Sequence, residues 1–246
     1  MSVLATGDRE NPWSHEGSGP IRAILVAIGL TVAGILVSLV GGVAFIIPLI
    51  ILDVDVQSTG PFLALTAVGQ VGFLAVGYLY ARYSGLTVHV SRPSFREVGI
   101  ALVGVVAALV VVTVTSAVFA ALGLVPGSVI GDAAFEDPML LLGLAALSIV
   151  IVAPAEEFLY RGVVQGRLRW SFGPVGAVVA SSILFGAIHF GNYTGNLAAV
   201  VSGAVVIACG GLVFGTLYER TRNLAVPIVA HAVYNTLLLV LAFLAL

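Results

Sequence analysis

Apolar residues fill seven long runs of this chain, each closed by a short polar segment. They cover roughly 24–47, 61–81, 98–122, 139–153 running on into a charged stretch, 174–189, 197–217 and 225–244. About twenty apolar residues suffice to carry an α-helix across a bilayer. In lipid every backbone polar group must be satisfied within its own segment, so helices are the expected form. The pattern predicts an all-α, polytopic membrane helix bundle of about seven transmembrane helices over residues 21–246. Residues 1–20 break the pattern. They are polar and of mixed charge, without the basic-then-apolar order of a signal peptide, and are expected to form a disordered cytoplasmic tail.

Composition sharpens this picture. The 246 residues are 60% hydrophobic and only 9% charged, which is too little charge for a soluble domain and makes the chain an integral, multi-pass membrane protein. The net charge of -2 comes with no basic patch, so no nucleic-acid partner is expected. Cys209 stands alone in an apolar run, which excludes a disulfide framework and a cysteine-based metal site. All the positive charge is arginine, and it falls on one side: Arg9 and Arg22 before the first run, Arg82, Arg92 and Arg96 after the second, Arg161, Arg167 and Arg169 after the fourth, Arg220 and Arg222 after the sixth. The alternate loops carry Asp53, Asp55, Asp132, Glu136 and Asp137 instead. By the positive-inside rule the N-terminus lies inside and the C-terminus outside. Gly162/Gly166 and Gly211/Gly215 each put two glycines one turn apart, a spacing suited to close helix–helix approach.

The charges that break the apolar pattern are the candidate chemistry. Glu156 and Glu157 stand at the inner end of the fourth run, with Arg161 a turn later. Intramembrane ionisable groups are costly and usually functional, although all three could instead snorkel to the surface. Glu157 and Arg161 have the i,i+4 order that favours an ion pair. Glu156 points about 100° away and is left for chemistry. His189 lies in the fifth run, and His231 and Asn235 leave one face of the seventh. Singly, each is as readily interhelical glue. A tight turn near 171–174 makes the fourth and fifth helices an antiparallel hairpin, with Glu156 and His189 roughly 22 and 26 Å from it. The four groups are thus expected to meet near mid-membrane, in a cavity opening inward. A carboxylate, two imidazoles and an amide suit either water activation with oxyanion stabilisation or binding of a divalent metal.

Other intramembrane protease chemistries are excluded by spelling. No His-Glu-x-x-His occurs, Gly131-Asp132 lacks the glycine an aspartyl type needs at Val129, and there is no Gly-x-Ser-x-Gly elbow. The remaining residues resemble the CPBP family of CAAX prenyl endopeptidases and bacteriocin-processing, Abi-type membrane proteases. Its Glu-Glu-x-x-x-Arg motif is matched by Glu156, Glu157 and Arg161, its Phe-x-x-x-His by Phe185 and His189, and its His-x-x-x-Asn by His231 and Asn235. The resemblance covers about 152–237. It implies an intramembrane endopeptidase with its catalytic core within 139–246, cleaving near the cytoplasmic side. Glu156 would act as base on water, His189 would hold that water, and His231 with Asn235 would form the oxyanion site. Glu157 and Arg161 would give structural support. No metal is assigned; if the enzyme were metal-dependent, zinc on Glu156, His189 and His231 would be the set. The implied partners are a peptide or prenylated-peptide substrate and the bilayer. The competing reading is a non-catalytic membrane protein of the immunity or partner-binding type. A transporter would need a polar pathway to both faces, and the outer halves offer only groups such as Thr113, Thr115 and Ser148.

Overall fold

The structure, a computed structural model, describes residues 19–246; the expected tail over 1–20 lies outside the described residues except for its last two, and helix α1 already begins at Pro20. Three long helices follow one another: α1 (Pro20–Ile51), α2 (Thr59–Ser84) and α3 (Phe95–Ala121). After a short α4 (Val129–Glu136), a helical run from Met139 to Asn192 contains α5 (Met139–Leu147), α6 (Ala153–Glu157) and α7 (Gly166–Ala187). It is followed by α8 (Leu197–Thr221) and α9 (Ala225–Ala245). Among the described residues six stretches are long and apolar enough to cross a membrane, of which Met139–Asn192 is the longest. The chain is an integral, multi-pass membrane protein with an all-α bundle.

The run Met139–Asn192 holds two of the seven expected spans. Gly173 has φ 67° and ψ -176°, a left-handed conformation that glycine adopts without strain. Pro174 pushes its predecessor out of the helical region. The chain folds back there, and the two arms pack antiparallel, with Tyr160 edge-on to Phe185 at 5.3 Å between ring centroids. The expected turn is where the spacing put it.

Helix packing in lipid gains little from the hydrophobic effect and relies on close approach of small residues. On α1 the buried face carries Ala23, Ala27 and Gly34, while Leu25, Val32 and Leu36 point to the exterior. The loops are tied by polar side chains. Asn223, at the turn between α8 and α9, accepts from the backbone N–H groups of Ser91 and Ala225 and donates to Ser91 O and Glu97. Ser94 and Glu97 form a capping box that starts α3. At the opposite end a two-residue pair, β1 (Gly127–Ser128) with β2 (Tyr193–Thr194), joins the connection after α3 to the one before α8. The bundle therefore has an arginine end, with Arg82, Arg92, Arg220 and Arg222, and an acidic end, with Asp53, Asp55, Asp132 and Asp137.

Candidate active site

The two glutamates sit on a helix wound unevenly. Pro154 has no N–H to donate and its ring crowds the carbonyl four residues back. The chain widens to a π-turn at Ser148–Val152 just before it, and to a second at Phe158–Gln165 just after Glu157. Such π-turns recur at functional sites because they rotate the following side chains. Glu156 and Glu157 thereby face different partners. Glu157 is fully buried; Oε2 lies 3.3 Å from Arg161 Nε, and Oε1 accepts from His231 Nδ1 at 2.8 Å. Arg161 also donates to Gly211 O at 3.2 Å, and its guanidinium lies 4.4 Å from the centre of the Phe185 ring. A Cβ on Gly211 would stand 3.3 Å from that guanidinium nitrogen, so the glycine keeps an α8 carbonyl open to the arginine.

Glu156 instead lines a cavity of about 620 Å³ whose walls also include His189, His231 and Asn235. All four residues singled out from the sequence are brought to one space. His231 is stacked on Phe214 at 4.8 Å, and its Nε2 lies 3.9 Å from Glu156 Oε2. Phe185 stands edge-on to both imidazoles, at 4.8 Å from His189 and 5.9 Å from His231, which explains why a phenylalanine precedes His189 by four residues. His189 donates its Nδ1 proton to Phe185 O at 2.7 Å, leaving Nε2 with a free lone pair. Asn235 Nδ2 makes a long contact of 3.4 Å to Ser148 Oγ. The role given to Glu157 is incomplete as first read: it supports His231 as well as Arg161. Gln70 was missed altogether. It lies on α2, and its Nε2 donates to Glu156 Oε1 at 2.9 Å.

The cavity runs the opposite way from the expectation of an inward opening. Its lining reaches Phe62 near the start of α2, Ser128 and Val129 beside β1, and Asn192 and Tyr193. All of these belong to the acidic half of the bundle, and no lining residue comes from the arginine end. Spacing along the helices brings the four groups toward one level, and they share one cavity. Spacing does not say which end of the bundle the cavity reaches, because that depends on packing across several helices at once.

The side chains give a mixed answer for zinc. Both histidines hold their Nδ1 atoms against an oxygen acceptor, Glu157 for His231 and Phe185 O for His189. That outer partner is typical of metal-ligating histidine. Yet among the described residues no three His, Cys, Asp or Glu side chains are gathered closely enough to hold an ion. The donor set does not fit a metal centre as it stands, and no chemical step is routed through one.

Residues 138–237 match the family model described as "Rce1-like: Type II CAAX prenyl endopeptidase Rce1-like". Over that region, less than half of the chain, the protein is similar to the Rce1-like family. A curated protein of Bacillus subtilis (strain 168), "Putative membrane peptidase YdiL", is 30% identical over 92 residues, covering 37% of this chain. The chain spans about a third of the length of this curated relative, 34%. No solved structure matches it. The Rce1-like region contains every motif residue from Glu156 to Asn235 and excludes α1, α2 and α3. Gln70 thus joins the site from outside the matched region.

Proposed function

We propose that the chain is a membrane-embedded endopeptidase in which Glu156 activates a water molecule for attack on a peptide carbonyl. The observation that carries this reading is the separation of the two carboxylates: Glu157 is closed off with Arg161 and His231, whereas Glu156 faces the cavity shared with His189, His231 and Asn235. Glu156 takes one proton from water, and the free Nε2 of His189 accepts a hydrogen bond from the remaining O–H, which stays on the attacking oxygen and orients it. The tetrahedral oxyanion is met by Asn235 Nδ2 and His231 Nε2. Donation from Nε2 requires the ring to carry both protons, since Nδ1–H is already given to Glu157, which supplies the counter-charge. Each such donor contributes about 3 kcal/mol in the transition state. Collapse breaks the C–N bond, and Glu156 returns its proton to the leaving amine.

The arginine end faces the cytoplasm in this reading. The cavity extends from Glu156 and His231, near the middle of the bundle, toward the acidic end, so a substrate would reach these groups from the non-cytoplasmic half rather than from the cytoplasmic side. A peptide segment entering from the membrane or the far face suits this site better than a prenylated cytosolic C-terminus. The test is cleavage of a peptide library by purified protein, wild type against Glu156→Gln. The wild type is expected to cut and the variant to be inactive with its fold intact; equal cleavage by both would overturn the reading. On the metal-free route, activity survives a chelator and the active protein holds no stoichiometric zinc by elemental analysis.

A further inference from the structure

Gln70 has two polar atoms in the site, and only one is engaged. Nε2 donates to Glu156 Oε1 at 2.9 Å. Oε1 is buried without a hydrogen-bond partner among the described residues, although Gln70 lines the cavity. An unsatisfied buried amide oxygen costs about 1–3 kcal/mol. The other polar residue that α2 brings to the cavity, Thr66, is satisfied by Phe62 O on its own helix, so Gln70 Oε1 is the polar atom that this face of α2 leaves unpaired. The acceptor is unspent at the point where a peptide would meet the proposed base.

We infer that Gln70 is a substrate-positioning residue: its Nε2 fixes the Glu156 carboxylate, and its Oε1 accepts a hydrogen bond from a backbone N–H of the bound peptide. The two hydrogens of the attacking water are already claimed by Glu156 and the free nitrogen of His189, so the remaining donor that this oxygen can meet is an amide of the substrate. A peptide chain offers such an N–H beside every scissile carbonyl. α2 thereby supplies part of the site although it lies outside the Rce1-like region. This inference rests on the endopeptidase reading for its substrate half, while the grip on Glu156 stands independently of it.

The test uses the full-length protein in detergent or bilayer with Gln70→Met, which keeps length and apolar fit and removes both hydrogen-bonding atoms. The infrared band of the Glu156 carboxylate, assigned by difference against Glu156→Gln, is expected to shift in Gln70→Met. Loss of a hydrogen bond to a charged group should lower kcat/KM about ten- to a hundred-fold, with KM raised as well as kcat reduced. Gln70→Asn keeps both hydrogen-bonding groups on a side chain one methylene shorter; it should shift the band less than Gln70→Met and keep KM nearer the wild type. A residue that only joins α2 to α6 would change thermal stability and leave both the band and KM unmoved, and that result overturns the inference. If the wild-type protein cleaves nothing, the endopeptidase reading fails, and the infrared comparison still decides whether Gln70 holds Glu156.

Discussion

Glu157 carries more of the site than its neighbour does structurally, because it balances Arg161 and orients His231 at the same time. A buried ion pair adds little net stability, but removing one partner strands the other charge. Glu157→Gln leaves the Arg161 guanidinium without its carboxylate in a fully buried setting. It is expected to lower unfolding free energy by about 3–5 kcal/mol and to lose activity through the mis-set imidazole of His231. Glu156→Gln keeps its Gln70 neighbour and both other pairs, so it should lose turnover with near wild-type stability. Chemical or thermal unfolding of the two variants in one detergent decides the matter; equal stabilities would contradict this division of roles. The Glu157–Arg161 pairing was legible from their spacing. The bond to His231 was not, since it joins residues 74 apart through the relative rotation of two helices.

At the scale of elements, the hairpin turn and the arginine-end loops decide where the site can form. Gly173 and Pro174 were readable as a break because their backbone preferences are local. Gly211 and Gly215 were readable as points of close approach, and both offer α8 carbonyls, Gly211 O to Arg161 and Gly215 O to Gln165. The π-turns on either side of Glu156 and Glu157 left no clear sequence mark apart from Pro154. They arise where the helix must absorb that proline while burying Arg161 and Gln165 completely. Asn223 was also missed, although it fastens the loop before α3 to the start of α9 and is 2% exposed. Asn223→Ala would orphan the backbone N–H groups of Ser91 and Ala225. A loss of about 1–3 kcal/mol in stability is expected, with little change in KM because the residue lies at the arginine end, away from the cavity. Thermal unfolding together with steady-state kinetics checks both parts.

For the whole molecule, the sided arrangement of charge and the sided cavity make a joint prediction. In a Cys209→Ser background, a cysteine at Ser128 beside the cavity should react with a membrane-impermeant maleimide from outside intact cells. A cysteine at Arg92 should react only in inverted vesicles. Ser128→Cys labelled solely from the cytoplasmic side would reverse the orientation and return the cavity to that face. Such labelling reads position alone and holds whether or not a substrate has been found.

The order of apolar and polar positions was enough to determine the all-α, multi-pass class, the fold-back at Gly173, and the residue types that converge. Each of these depends on properties of a single segment: its length in the bilayer, its backbone preferences, and which side chains share a helical face. The tertiary structure alone decided that Glu157 holds His231, that Phe214 and Phe185 clamp the imidazoles, and that Gln70 reaches Glu156 from α2. It also decided that the cavity extends from mid-bundle toward the acidic end. Those features follow from how far each helix is turned and slid against its neighbours. That balance is struck by packing across several segments at once, and the periodicity of one segment carries no record of it.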